Sequence, residues 1–483
     1  MQKGLLFGVA CAAVLMTACS ADRLTVPNRN TATQDAASGA PGALQLQVTG
    51  IFRQLRGGRA AFISAVGRFG RESYIYTPNE GRNTSHFLIG LTGENKLDPS
   101  GFAVGVFAGP YGNLRDIYVT RNAVEGSALL SAEEKSATHG ALRTIEALEL
   151  LYVISTRDTI GAVVQINDDP QVLAPFVSRD STYRYILNTL DAAHAELLAG
   201  GSAFPVTLHA GFAGFNTPAT FAQFNRAIAA RAAAYHATAG GGAAAWTRAA
   251  TAIAASFLNR TAATSAAMNV GAYHVYSLST GDGANGIDST GNSDFLGHPS
   301  LAPDSIGTPI ATAIGAHRKA DTTPDNRYTA KVFTLAVPRN APQELGIATT
   351  QGLRVYRTQS TSIPIIRNEE LILLDAEIRL ALLDKLGALA DINQVRTVVG
   401  GLAVNPLLTA GSTDADFVSA ILYEKRFSLL AEGHRWIDHR RYGRLSLLPR
   451  DLPSHFVARV MPVPQAECLS RADAGPALAA PGC

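Results

Sequence analysis

Residues 421–444 read ILYEKRFSLLAEGHRWIDHRRYGR, and their spacing predicts how the C-terminal part of the chain folds. Thr413 and Asp416 precede them at a separation of three, which is a weaker form of the capping box that starts many helices. The apolar residues that follow on one helical face are Ala420, Tyr423, Phe427 and Leu430. We therefore predict a helix that ends near Gly433 and a short second helix that ends near Gly443.

One cation, Arg426, falls within this apolar face. An unpaired buried charge is very costly, so we hypothesise that Arg426 pairs with Asp375, which lies in another apolar stripe, or with Glu370 or Glu377. The two glutamates stand about 10 Å apart along one helix, which is wider than the carboxylate spacing of glycosidases. We interpret them as partners in ion pairs between packed helices.

The segment 424–438, EKRFSLLAEGHRWID, resembles the C-terminal signature E-R-R-x-E-L-x-x-E-G-x-R-x-x-D of the SusD/RagB family of nutrient-uptake outer-membrane lipoproteins. Lys425 replaces an arginine of that signature, and Ser428 replaces a glutamate. Other segments that resemble the family are 24–30 (LTVPNRN), 68–77 (RFGRESYIYT), 111–130, 139–154, 366–380 (IRNEELILLDAEIRL), 391–402 (DINQVRTVVGGL) and 461–469 (MPVPQAECL). The resemblance implies a mainly α fold, with a tetratricopeptide-like scaffold of helical hairpins and a loop-rich subdomain that contains a few short strands.

Composition agrees with a large helical domain. The chain has 483 residues, 47% of them hydrophobic and 17% charged, with a net charge of +2, so it can bury a sizeable core and carries no nucleic-acid footprint. Amphipathic segments predict helices in 105–260 and 365–445. Between them, 261–364 is rich in Gly, Asp, Asn, Ser, Thr and Pro, and only 331–337 and 353–358 alternate like short strands. We expect residues 44–483 to form one domain.

The N-terminus has the pattern of an export signal, in which a lysine precedes the apolar residues 4–16. This apolar run is too short to span a bilayer as a permanent helix. Residues 16–19, MTAC, resemble a bacterial lipobox, which implies a signal peptide of residues 1–18 and lipid attachment at Cys19. The alternative is an ordinary signal peptide cleaved near this point. Residues 19–43 then form a polar tether from the membrane.

The cysteines support an exported protein. Cys11 leaves with the signal peptide, and Cys468 and Cys483 remain for an oxidising environment. We expect these two to form a disulfide, and the alternative is two free thiols on a loose tail.

No complete catalytic or cofactor motif is present. The sequence lacks G-x-S-x-G, H-E-x-x-H and the P-loop. Residues 281–286 satisfy G-x-G-x-x-G but precede a poor helix start, so we interpret them as a turn-rich loop. The oxygen-bearing residues Asp282, Asn285, Asp288 and Asp294 are an alternative calcium site, although they lack the spacing of an EF-hand. We predict no cofactor, no metal and no enzymatic activity.

Candidate ligand contacts are aromatic side chains in loops, because sugars bind to aromatic faces beside planar polar groups. Trp436 and Trp246 are both predicted to lie in the core. The loop aromatics that remain are Tyr74, Tyr76, Phe87, Tyr111, Tyr276 and Phe295.

The family resemblance implies a lipid-anchored protein of the outer membrane, exposed at the cell surface. Such a protein binds a nutrient, either oligosaccharide-like or a peptide, and delivers it to a SusC-like TonB-dependent transporter as its lid. Two alternatives stay open. One is an adhesive or structural helical-repeat lipoprotein without a transporter, and the other is a surface-anchored hydrolase.

Overall fold

A computed structural model describes the chain at residues 42–91, 96–280, 282–287, 294–340 and 345–483. The expected signal peptide and the lipid attachment at Cys19 lie outside these residues. Within them, none of the helices combines the length and the apolar character that crossing a membrane requires.

Helices make up most of the described structure. Their bounds are α1 Ala43–Arg56, α2 Arg59–Phe69, α3 Arg82–Thr84, α4 Ala108–Gly126, α5 Ala132–Arg157, α6 Arg179–Leu198, α7 Pro218–His236, α8 Gly242–Ala254, α9 Ser265–Met268, α10 Asn326–Lys331, α11 Asn368–Ala381, α12 Lys385–Val398, α13 Asp414–Ser428, α14 Arg435–Arg441 and α15 Gln465–Ser470. From α4 to α8, each helix packs against the next, as helical hairpins do. Helix α11 packs against α7, α8, α12 and α13, so it joins the two helical parts. The prediction of a mainly helical scaffold is confirmed.

Short strands lie mainly in the loop-rich subdomain. They are β1 Ser73–Ile75, β2 Ala162–Val163, β3 Phe176–Val177, β4 Gly271–His274, β5 Phe295–Gly297, β6 Val332–Arg339, β7 Thr349–Leu353 and β8 Ile363–Arg367. An antiparallel sheet has the order β1-β5-β7-β6, while β2 pairs with β3 and β4 pairs with β8. Because β8 runs directly into α11, the pair β4–β8 ties the subdomain to the scaffold.

One strand prediction is confirmed and the other is wrong. The alternation at 331–337 corresponds to β6, whereas 353–358 is not a strand. Leu353 is the last residue of β7 and lies opposite Val332. The chain then turns inward, and Tyr356 becomes a fully buried residue whose hydroxyl donates to the carbonyl of Ala431 at 2.8 Å.

Helix α13 begins as predicted but ends earlier. Thr413 and Asp416 form the capping box, with both reciprocal hydrogen bonds present. The helix stops at Ser428 rather than near Gly433. Its last carbonyls are held by cations of the subdomain, since Arg367 donates to the Ser428 carbonyl at 2.6 Å. The chain then turns through the left-handed residue Ala431.

The two glycines of this stretch serve as turn residues. Gly433 has φ +87°, and a Cβ there would lie 2.5 Å from the ring of Phe62, so this turn requires glycine. Gly443, also with a positive φ, follows the end of α14, as predicted.

Both tryptophans and the tail cysteines occupy the expected places. Trp436 is fully buried, and its indole N–H donates to the carbonyl of Ala458 at 2.7 Å. Trp246 is partly buried and packs against the same core. A disulfide joins Cys468 and Cys483 and closes the C-terminal tail.

Candidate functional site

The signature helices carry a buried cluster of four charged side chains. Nζ of Lys425 lies 2.7 Å from Glu377 and 2.9 Å from Asp438, and Arg441 approaches each of these carboxylates at 2.7 Å. Burial alone would raise the pKa of Asp438, but Lys425 and Arg441 lower it to about 2. Each carboxylate is therefore ionised and shared between two cations, which fastens α11, α13 and α14 together.

Two other carboxylates of this region, Glu370 and Glu424, are also paired. Glu370 receives a bidentate interaction from Arg231 on α7, with both N–O distances at 2.7 Å. Glu424 lies 2.6 Å from Arg327 and 3.0 Å from Arg396. The interpretation of Glu370 and Glu377 as ion-pair partners between packed helices is confirmed.

The hypothesis about Arg426 is wrong. Arg426 donates to Ser300, at 2.9 Å to the carbonyl and 2.8 Å to Oγ, and to the carbonyl of Ile314. It forms no ion pair with a carboxylate of the described residues. Asp375 instead contacts Arg260 and Arg379, at 2.7 and 2.9 Å. Arg426 lies on the side of α13 that faces the loop-rich subdomain, where backbone carbonyls replace the expected carboxylate.

Five of the six predicted ligand contacts belong to the buried core, and four of these are only 0–2% exposed, namely Tyr74, Tyr76, Phe87 and Phe295. Residues of β1 pair with residues of β5, and Ile75 lies opposite Phe295, so this part of the chain forms an internal sheet rather than an open loop. The hydroxyl of Tyr74 donates to Asp451 at 2.7 Å, and its ring meets that of His298 edge-on. These four side chains are not accessible to a ligand in this structure.

The other two candidates line separate cavities. Tyr276 lines a cavity of about 390 Å³ between the end of α1, the start of α2 and the segment 283–286; we call it the arginine cavity. Its lining residues are Arg53, Gln54, Arg56, Gly57, Gly58, Ala60, Tyr276, Gly283, Ala284 and Gly286. Residues 282–287 form no helix, in agreement with the prediction of a turn-rich loop.

Hydrogen bonds fix the back of the arginine cavity. The Tyr276 hydroxyl donates to the carbonyl of Arg56 at 3.2 Å, and burial raises the pKa of Tyr276, so the phenol stays protonated at neutral pH. Arg56 in turn pairs with Asp282 and donates to the carbonyl of Val275. At the front, Arg53 and Gln54 are exposed, and Gln54 donates to Asp116.

Two successive glycines shape the floor of this cavity. Gly57 ends α1 and donates to the carbonyl of Gln54 at 2.8 Å, and Gly58 precedes α2 with φ +73°, a conformation that favours glycine. The last carbonyls of α1 and the first N–H groups of α2 therefore meet at one place. The start of α2 has no side-chain cap and no acidic residue in its first turn. Gly58 and Ala60, at the start of α2, both line the cavity.

Tyr111 lines a second cavity of about 360 Å³, which we call the Tyr111 cavity. Its hydroxyl accepts a hydrogen bond from the N–H of Val163 at 2.9 Å, and its ring centre lies 4.8 Å from that of Phe107. Arg115 and Arg471 complete the wall and are engaged with backbone carbonyls, Arg471 with that of Ala174 at 2.8 Å. The lining also includes Gln165, Asn167, Asp169 and Glu467, so the Tyr111 cavity contains acidic as well as basic side chains beside its aromatic wall.

The sequence prediction missed the polar part of the arginine cavity. Arg53 and Gln54 lie in the last turn of a helix, where exposed polar residues are ordinary. The available signal was the pair Gly57–Gly58 between two helical patterns, because it places a helix end beside a helix start. As for metals, the described residues contain no group of three or more His, Cys, Asp or Glu side chains that is suited to hold an ion.

Comparisons with known proteins agree with this architecture. Residues 314–469 match the model of the SusD family. A SusD-like protein of Bacteroides fragilis superposes with a TM-score of 0.63 at 15% identity, covering 90% of this chain and 96% of that one. No functionally curated protein matches the sequence.

Two further solved structures have names that refer to carbohydrate. Surface glycan-binding protein A of Bacteroides uniformis superposes with a TM-score of 0.62 at 14% identity, covering 88% of this chain and 97% of that one. A SusD-like carbohydrate-binding protein of Bacteroides vulgatus gives 0.57 at 15% identity, with 83% of each chain covered. At these identities the likeness establishes the fold, over nearly the whole of the described structure.

Proposed function

This chain belongs to the SusD/RagB family, and from that membership we propose that it binds carbohydrate and passes it to a transporter. The observation that carries the proposal is the family match within a SusD-like fold. The names of two structural neighbours support it, since one is a glycan-binding protein and the other a carbohydrate-binding protein. An oligosaccharide-like nutrient is therefore favoured over a peptide.

The arginine cavity supplies suitable chemistry for this binding. Sugars present many hydroxyl groups, each of which donates and accepts, so a site needs planar polar groups and backbone ends beside a nonpolar surface. Arg53 and Gln54 offer such groups at the rim, and the Gly57–Gly58 floor offers helix ends. Burial of 70–90% of a small ligand is typical of such cavities.

The proposed activity is binding alone, without a catalytic step. The carboxylates of the signature region are engaged with arginine and lysine, which leaves them unsuited to act as general acids. We therefore favour a binding protein over a surface-anchored hydrolase.

Isothermal titration against a library of soluble oligosaccharides tests the binding step. We expect at least one oligosaccharide to bind, and Gln54→Ala to weaken that binding without changing the melting temperature, because Gln54 is exposed. Gln171→Ala is the matched control, since Gln171 is an exposed glutamine outside the cavity. A folded protein that binds no member of the library would contradict the proposal.

The delivery step rests on the family alone. We propose that the protein is anchored to the outer membrane through Cys19, closes over a SusC-like TonB-dependent barrel as its lid, and releases nutrient into it. The test is mass spectrometry of proteins that co-purify with the tagged lipoprotein in detergent. A stoichiometric TonB-dependent barrel is the expected partner. Recovery of the lipoprotein alone, with other outer-membrane complexes preserved, would favour the adhesive or structural alternative.

A further inference from the structure

We propose that the arginine cavity selects acidic carbohydrates, with a sugar carboxylate or sulfate held by Arg53 beside the start of α2. This inference rests on the proposed carbohydrate-binding function and specifies the class of ligand. Its first basis is charge. Among the described residues that line the cavity, two are arginines and none is acidic.

The charge of Arg53 is available to a ligand. Arg53 is exposed, and its contact in the described structure is a 3.4 Å hydrogen bond to the backbone carbonyl of Asp282. It forms no ion pair with another described residue. A bound anion would therefore gain a new partner without breaking an existing ion pair, and arginine binds carboxylate and sulfate oxygens with two parallel hydrogen bonds.

Arg56 forms the inner wall of the cavity and is already paired. It is only 7% exposed, yet its Nε has no hydrogen-bond partner in the described structure. Asp282 and the carbonyl of Val275 occupy its two terminal nitrogens. The Arg56–Asp282 ion pair is close to neutral as a unit, so the positive charge that remains for a ligand is that of Arg53.

The start of α2 also favours an anionic ligand. Its first N–H groups have no capping side chain and its first turn contains no carboxylate, although acidic residues stabilise this position in most helices. Helix α2 spans 11 residues, long enough to carry a positive N-terminal end. An acidic group in the cavity would take the place of the missing cap.

The test compares acidic oligosaccharides with their neutral counterparts. A panel of uronic-acid, sialylated and sulfated oligosaccharides is titrated against the full chain alongside carboxyl-reduced or desulfated forms of the same sugars. We expect the acidic form of the bound sugar to bind at least tenfold more tightly, because hydrogen bonds to charged groups are the stronger ones. Added salt should reduce the difference in affinity between the acidic and the neutral form, because salt screens the interaction between charges.

Substitutions test whether Arg53 causes the preference for acidic sugars. Arg53→Gln keeps a planar polar side chain but removes the charge, so it should reduce the acidic preference about tenfold or more while leaving the fold intact. Arg184→Gln is the matched control, since Arg184 is an exposed arginine on α6 outside the cavity. Equal binding of acidic and neutral forms, or an unchanged preference in Arg53→Gln, would overturn the inference and leave the proposed function standing. Binding to no sugar would contradict the proposed function as well.

Discussion

At the residue scale, the buried cluster of Glu377, Lys425, Asp438 and Arg441 depends on the positive charge of Lys425. Removing it would leave Glu377 and Asp438 with Arg441 as their shared cation. Breaking a buried pair on one side costs about 3–5 kcal/mol, because the remaining charge stays desolvated. We expect Lys425→Ala to lower the free energy of unfolding by this amount in urea denaturation.

The control for that prediction is another lysine. Lys385 pairs with the exposed Asp414 at 2.8 Å, and pairs of this kind contribute about 0–1 kcal/mol. Lys385→Ala should therefore change stability little. Equal effects of the two substitutions would show that the buried cluster adds nothing beyond an ordinary surface pair.

The buried carboxyl group of Glu72 makes the stability of the fold depend on pH. Its carboxylate is 1% exposed, Oε2 has no hydrogen-bond partner among the described residues, and burial raises its pKa from 4.5 to about 7 despite Arg435 and Arg426. Below pH 4.5 the Glu72 carboxyl is protonated in both the folded and the unfolded chain, so its burial does not lower the free energy of unfolding there. As the pH rises to 7, the unfolded chain releases its proton first, and stability is lost.

Glu72→Gln removes this titration. The stability advantage of the glutamine variant over the natural chain should grow between pH 4.5 and 7 by up to about 3 kcal/mol, at about 1.4 kcal/mol per pKa unit, and then stay constant. Urea denaturation across this pH range measures the difference, with the exposed Glu133→Gln as control. A constant difference across the range would show that the pKa of Glu72 is not raised.

Residue-level prediction from sequence succeeded where the local pattern determines the outcome. The capping box of Thr413, the burial of Trp436 and the ion pairing of Glu377 all follow from spacing and apolarity. It failed for Arg426 and Tyr74, because their neighbours come from segments more than a hundred residues away, in the case of Tyr74 through a strand pairing that was not predicted. An apolar stripe shows that a cation is buried, but not which neighbour faces it.

At the element scale, α13 depends on its first turn. The Thr413 side chain accepts from the Asp416 N–H at 3.2 Å, and the Asp416 carboxylate accepts from the Thr413 N–H at 2.9 Å. Loss of an N-cap side chain costs about 0.5–2 kcal/mol. We expect Thr413→Ala to destabilise the protein by this amount in urea denaturation, while Thr413→Ser, which keeps the hydroxyl, stays close to the natural chain. If Thr413→Ser were as destabilising as Thr413→Ala, the cap would not be the cause.

The helices were predictable as elements, but their partners were less so. Amphipathic spacing predicted helices in 105–260, which is where α4 to α8 lie. The sheet β1-β5-β7-β6 joins segments from 73 to 353 of the sequence, and short strands of this kind carry too little local signal for their pairing to be inferred. This is also why five of the six predicted ligand contacts proved to be core residues, while the polar rim of the arginine cavity was not predicted.

At the scale of the whole molecule, the loop-rich subdomain is fastened to the scaffold by charge as well as by strands. Arg327 on α10 lies 2.6 Å from Glu424 on α13 and donates to Oγ of Ser428 at 3.0 Å. Ser428 stands where the family signature has a glutamate. Its hydroxyl accepts a hydrogen bond from Arg327, the arginine that also pairs with Glu424. Arg367, at the end of β8, adds contacts to Glu432 and to the carbonyl of Ser428.

These contacts predict that the subdomain and the scaffold unfold together, as one domain would. Arg327→Ala should lower stability by about 3–5 kcal/mol, because Glu424 and Asp325 would lose a buried partner. Hydrogen exchange in increasing urea measures both parts at once, with amides of β4 and β7 reporting on the subdomain and amides of α5 and α7 on the scaffold. We expect one shared transition in the natural chain, moved to lower urea in the variant. If the subdomain amides exchanged in an earlier transition of their own, the insert would be a separate folding unit.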